Sequence, residues 1–226
     1  MWQHREAQKR YLIAVGLLSG LCLGLFFLRI AMTGTVRYWF IPENLALAWL
    51  SFVFAWLLLI ELKKRRWATW QNISLSILWL FFLPNSWYVL TDFVHVAPTG
   101  EISQVYDIVM MFSLVICGFI LGFTSLYIFH KQFLKRWSAT VSHGVVAGIL
   151  LLSSFAIYLG RDLRWSTWDV VANPGGIILD VSDRVIDPFG HPRAINVTGL
   201  FFVLLGSIYL AIWILTRPYK PGKPTK

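Results

Sequence analysis

Charge is scarce in this chain. Asp, Glu, Lys and Arg together make up 14% of its 226 residues, against roughly a quarter in soluble domains. With 57% of the residues hydrophobic, this shortage excludes a water-soluble globule, which could not bury so much apolar surface. Cysteine is nearly missing too. Cys22 and Cys117 are the only two, each inside an apolar run, which argues against a disulfide framework or a zinc site and leaves small packing residues. Acidic residues number 11 against 20 basic, for a net charge of +9. That surplus does not mark a nucleic-acid binder, because the basic residues flank apolar runs instead of forming one patch, as in membrane proteins. Internal repeats and low-complexity tracts are absent as well.

Long apolar runs are what the chain has in abundance. A helix crossing a bilayer needs about 20 mostly apolar residues, and six stretches qualify: Tyr11–Ile30, Asn44–Leu62, Ile73–Val96, Asp107–Phe129, Ala139–Gly160 and Val197–Thr216. The expected fold is therefore an all-α, polytopic transmembrane bundle of six spans forming a single transmembrane domain. The first run follows Arg5, Lys9 and Arg10, as a signal peptide would. It is longer than an ordinary signal core of about 7–15 residues and no A-x-A-like site follows, so a retained helix is expected.

Lys and Arg orient the bundle. The N-terminal segment, Lys63 to Arg66, the 131–136 segment and the tail (Arg217, Lys220, Lys223, Lys226) hold 14 of the 20; Arg29, Arg37, Arg161, Arg164, Arg184 and Arg193 lie on the other side. The positive-inside rule then places both termini in the cytoplasm. Acids run the opposite way, with only Glu6 and Glu61 on the cytoplasmic side. An outer-face site would explain that asymmetry, and so would outer loops that simply need polar residues. Trp39, Trp67, Trp70, Trp137, Trp165 and Trp168 flank spans as interfacial anchors do. In the long outer loop, 161–196, Ile177, Ile178, Val181 and Val185 recur at helical spacing opposite Asp180, Asp183, Arg184 and Asp187. This predicts a short helix along the outer membrane surface, bounded by Pro174-Gly175-Gly176 and Pro188. Gly16/Gly20/Gly24, Gly118/Gly122 and Gly144/Gly148 are small-xxx-small stripes, expected to serve contact within the bundle; dimerisation is the competing use.

One polar constellation interrupts the apolar pattern. Pro84 lies about 17 Å from the start of the third span at 1.5 Å per residue, near the bilayer centre, and predicts a kink that Asn85 could relieve. Asn85, Tyr88, Asp92 and His95 follow at helical spacing, on one face leading outward. Two further segments end at the same level: Tyr106-Asp107 opening the fourth span, and Tyr158 to Asp169 closing the fifth. Four interpretations compete. Arg161 and Arg164 pair with Asp92, Asp107 or Asp169 as structural ion pairs. Asp92, His95 and Asp107 hold a divalent metal such as Mn or Zn. Arg161 and Arg164, with Asn85, Tyr88, Trp168 and Asp169, bind an anionic or lipid-linked substrate, with His95 as acid/base and Asp92 its companion. Or the kinked stripe lines a translocation path.

LPNSWYVLTDFVHV, VYDIV and IYLGRDLRWSTWDVVANP, in that order, resemble the bacterial membrane-protein family known only as domain of unknown function 1361, over most of the chain from the second span to the sixth. The matching positions are Pro84, Asn85, Tyr88, Thr91, Asp92, His95, Tyr106, Asp107, Tyr158, Gly160, Arg161, Arg164, Trp168, Asp169 and Pro174. Ser86-Trp87 stands where the family pattern has Ala-Pro, and Ser166-Thr167 where it has Asn-Ser. The resemblance implies the fold and the site's location, and adds no reaction. The expected protein is a multi-pass protein of the bacterial cytoplasmic membrane, partnered by lipids, with a polar binding site at the outer ends of the third, fourth and fifth spans.

Overall fold

The computed structural model describes residues 5–98 and 100–216, and the backbone alone of Val171. The tail residues Arg217, Lys220, Lys223 and Lys226, used above for orientation, lie outside the described residues. The described chain is helical throughout: α1 (Arg5–Thr33), α2 (Phe40–Glu61), α3 (Trp70–Phe82), α4 (Asn85–Tyr88) running into a 3₁₀ segment (Val89–His95), α5 (Gln104–Phe133), α6 (Ala139–Asp162), α7 (Asp169–Ala172), α8 (Pro174–Ile186) and α9 (Pro192–Leu215). Six of these units are long and apolar enough to cross a membrane, with α3 through the 3₁₀ segment forming one.

Local chemistry sets the helix boundaries. α1 stops at Gly34, which takes φ +66° and donates its N–H to the Ile30 carbonyl at 2.8 Å, the left-handed cap that a residue without Cβ adopts freely. α6 starts where Ser138 Oγ accepts the Val141 N–H, and α8 where Asn173 Oδ1 accepts the Gly176 N–H at 3.1 Å, ahead of a proline tolerated in the first turn.

α5 is the spine. Met110, Met111, Leu114, Cys117, Leu121 and Leu126 along it are fully buried, and it packs against α1, α2, α4 and α6, while α3 lies on α2 and α9 on α6. Cys22 and Cys117 are buried free thiols, as expected of packing residues. The glycine stripes divide. A Cβ on Gly118 would sit 2.5 Å from the Ser86 carbonyl oxygen, and one on Gly122 would sit 2.7 Å from Ser86 Cβ, so these two let α4 ride on the α5 backbone. Gly16, Gly20, Gly24, Gly144 and Gly148 meet no neighbour. For those five, contact within the bundle is corrected: their helices are held by other residues, such as Val15, Ser19, Cys22 and Phe26 on the inward face of α1.

The chain reverses between successive spans, through short connections everywhere but in 163–191, which separates two ends. At the basic end the Arg136 guanidinium lies 4.7 Å from the Trp67 ring centre, joining the connections that follow α2 and α5. The other, cavity end gathers the end of α1, the start of α2, the α4/3₁₀ segment, the start of α5 and the 163–191 connection.

Candidate functional site

Pro84 breaks the third span. Its ring supplies no N–H and disfavours the preceding turn, and the Asn85 amide donates to the Phe82 carbonyl at 3.4 Å, as expected of a residue relieving the kink. Beyond Tyr88 the chain tightens into the 3₁₀ segment. Each residue there turns by about 120° instead of about 100°, and Asp92 points towards α2. The single polar stripe expected from α-helical spacing is thereby corrected for Asp92, whereas His95 still shares a cavity with Asn85 and Tyr88. Asp92 is buried (4% exposed) and accepts a 2.7 Å hydrogen bond from the Asn44 side-chain amide. His95 is exposed and stands beside Phe40.

Between the α4/3₁₀ segment, the start of α2, α6 and the loop after it lies a cavity of about 760 Å³. Its polar wall includes Asn44, Asn85, Tyr88, His95, Arg161 and Arg164; its deeper wall is apolar, with Leu80, Phe81, Leu152, Ala156 and Ile157. Of the expected site residues, Asn85, Tyr88, His95, Arg161, Arg164 and Trp168 are therefore brought together on one cavity. Asp92 stands behind Asn44, outside the lining. Asp169 does not line it either: its carboxylate accepts from the Ser166 hydroxyl at 2.7 Å and the Ser166 N–H at 2.6 Å, closing the turn that presents Thr167 and Trp168. The hydroxyl bond first and the backbone bond second hold the Asp169 carboxyl below its ordinary range.

Sequence spacing gave no hint of the second wall. Glu43 accepts from Trp168 Nε1 at 3.3 Å, Thr167 Oγ1 donates to Asn85 Oδ1 at 3.1 Å, and Trp165 Nε1 donates to Asp180 at 2.7 Å. These bonds fasten the loop after α6 over the cavity from three sides. Gly160 is the close approach that lets Tyr88 lie on α6, since a Cβ there would sit 3.0 Å from the Tyr88 ring. Arg164 occupies φ +61°, the only positive-φ non-glycine among the described residues.

Asp107 is elsewhere. It accepts from Arg29 Nε at 2.7 Å and from the Tyr38 hydroxyl at 3.0 Å, while Arg29 also reaches Glu101 at 3.1 Å. Arg29 and Asp107 are each 1% exposed, a fully paired clasp tying α1 to α5. The metal triad of Asp92, His95 and Asp107 is accordingly corrected: the three answer to different partners, and among the described residues no three His, Cys, Asp or Glu side chains are grouped to hold an ion.

The ion-pair expectation for Arg161 and Arg164 is corrected as well. Arg161 acts electrostatically on Tyr88 and Asp92. Among the described residues, neither arginine forms a hydrogen bond or an ion pair within 4 Å. Their neighbours do: Arg29 pairs with Asp107, Arg184 with Asp180, and Arg193 with Asp162 at 2.5 Å. Every acid at this end is engaged, Asp183 by His191 and Asp187 by the Gly190 N–H among them. Pairing thus accounts for most of the acidic excess read from the sequence.

α8 forms as expected, but its faces differ from the sequence pattern. Asp180 and Arg184 turn inward, Arg184 Nε donating to the Tyr158 hydroxyl at 3.3 Å, and Ile177 lines the cavity. Ile178, Leu179, Val185, Ile186 and Phe189 are exposed, the last two at 81% and 87%.

These features define a multi-pass helical membrane protein with a polar cavity at one end of the bundle. The chain belongs to the family described as protein of unknown function (DUF1361), whose model matches residues 43–212, about three-quarters of the sequence. No curated protein and no solved structure matches it.

Proposed function

We propose that the protein is integral to the bacterial cytoplasmic membrane, with both termini inside, and that the cavity binds an anionic group at the extracytoplasmic face. One observation carries this reading: two arginines line the cavity without an ion-pair partner among the described residues, while the one carboxylate in its lining, Glu43, accepts from Trp168 and the other acids at that end have partners of their own. A guanidinium left without a carboxylate in a partly desolvated wall is suited to a phosphate or carboxylate, which it grips through two parallel N–H bonds. The amides of Asn44 and Asn85 and the Tyr88 hydroxyl add neutral hydrogen-bonding groups beside the charge.

Trp165 and Trp168 also line the cavity, so binding is followed by intrinsic fluorescence. Titration of the purified protein with glycerol 3-phosphate is expected to give a saturable change. Arg161→Gln/Arg164→Gln weakens it at least about tenfold, in line with about 1.5–3 kcal/mol for a hydrogen bond to a charged group, and Arg37→Gln leaves it unchanged. Wild-type affinity in the double variant sinks the reading.

A second reading rests on His95, which shares the cavity with both arginines. An imidazole is the side chain best suited to move a proton near neutral pH, so an enzyme acting on an anionic or lipid-linked substrate would use it as acid or base. A translocation path has less support, because the cavity is built around one broken helix where transporters of this kind use two.

A further inference from the structure

We infer that the cavity takes its ligand sideways from the bilayer, as an amphiphile whose anionic head rests on Arg161 and Arg164 and whose acyl chain leaves through the seam between α3 and α6. The inference rests on the anion-site reading and adds the ligand's class and its route. Three observations carry it.

The cavity is divided along its length. Arg161 and Arg164 belong to its mouth, while Leu152 and Ala156 line it deeper on the same helix. The nine steps from Leu152 to Arg161 correspond to roughly 14 Å along the helix axis, which carries the apolar part well into the hydrocarbon layer. A small soluble anion would need none of that depth; a headgroup with a chain attached uses both parts.

The deep part also opens outward. Leu152 lines the cavity and is 58% exposed, so the cavity is open rather than sealed at that depth. The seam there is not closed by helix packing, because α3 is carried by α2 and α6 by α9. The helices meet instead nearer the mouth, where Tyr88 lies against Gly160.

The mouth, finally, is fastened from above. The hydrogen bonds from Thr167 to Asn85 and from Trp168 to Glu43 hold the loop after α6 across the water-facing side. The lateral seam has no such bridge among the described residues, so the less obstructed approach is from lipid.

The test uses the full-length protein in nanodiscs of zwitterionic lipid, with two probes: lysophosphatidic acid carried in the disc, and glycerol 3-phosphate in the water. Leu152→Trp fills the seam from an exposed position, and Ala156→Trp fills it from within. Either is expected to weaken the lipid at least about tenfold and leave glycerol 3-phosphate unchanged, whereas Arg161→Gln/Arg164→Gln weakens both. If Leu152→Trp, confirmed folded by its retained glycerol 3-phosphate binding, takes up the lipid like wild type, lateral entry is overturned and the anion site stands. If the wild type binds neither probe, the anion site fails and the inference falls with it. A photoreactive group at the end of the acyl chain is expected to label α3 or α6 near Leu80 or Leu152; labelling confined to the loop after α6 overturns the route.

Discussion

Arg164 is the residue at which stability and use part company. An L-residue in the left-handed region costs about 1–2 kcal/mol, and the end of a helix is where glycine ordinarily takes that conformation. Here an arginine holds φ +61° without a hydrogen bond or ion pair among the described residues, at the rim of the cavity. No hydrogen bond or ion pair of the side chain offsets that strain among the described residues, in keeping with the anion-binding role proposed for it. Arg164→Gly is therefore expected to raise the unfolding free energy by about 0.5–1 kcal/mol while weakening glycerol 3-phosphate binding. Thermal unfolding and the fluorescence titration, run on one preparation, check the two halves; a variant losing both stability and binding would show that Arg164 is structural. At this scale the sequence was informative about identity and weak about partnership. Arg161, Arg164, Asn85, Tyr88, His95 and Trp168 were legible because polar side chains in apolar surroundings stand out. The clasp between Arg29 and Asp107 was not, since 78 residues separate them and either alone looks like an ordinary helix-end charge. Glu43 and Asn44 were overlooked because they lie near the start of α2, where polar residues are unremarked.

Among the elements, the least regular one decides the architecture. The 3₁₀ segment after Tyr88 cannot be read from spacing, because α and 3₁₀ windings use the same residue types and differ only in how the last turn tightens. Its consequence is large: it turns Asp92 out of the expected stripe and into Asn44. α4 reaches this position only because Gly118 and Gly122 let it approach the α5 backbone, where Trp87 is buried to 0% exposure and Ser86 Oγ lies 2.8 Å from Ser51 Oγ. Ser86-Trp87, the pair departing from the family pattern, thus occupies the close contact of α4 with the α5 backbone. Gly118→Ala would push a methyl group against a backbone carbonyl, which cannot swing aside, so a loss of about 1–3 kcal/mol is expected. Gly20→Ala meets open space and should leave stability level or raise it. Comparing the two midpoints in a detergent unfolding series checks this; equal midpoints would mean that the α4–α5 approach is not as close as described. The sequence presents both as the same small-xxx-small motif, and only packing separates them.

For the whole molecule, the six spans were almost fully legible, because hydrocarbon imposes a length and a composition that few other solvents do. The helices outrun the apolar stretches by a few residues at most starts, since polar first turns belong to a helix without being apolar. Orientation rests on Lys and Arg alone, and a reporter fusion measures it directly. A fluorescent protein joined to the C-terminus is expected to fold and glow, and a phosphatase that works only outside the cytoplasm is expected to stay inactive there. An active phosphatase would invert the bundle and move the cavity to the inner face, leaving its chemistry as described.

α8 bears on how the protein is handled once it leaves the bilayer. Ile178, Leu179, Val185, Ile186 and Phe189 are exposed there while Asp180 and Arg184 are turned towards the bundle, so in water this stretch behaves in large part as an extension of the transmembrane surface. A detergent belt has to cover it along with the six spans, which makes the micelle lopsided and heavier at the cavity end. Ile177 joins that surface to the cavity wall, placing belt molecules beside the arginines. An anionic detergent would compete there with whatever the site holds, and uncharged maltosides are the surfactants that leave the cavity free to be measured.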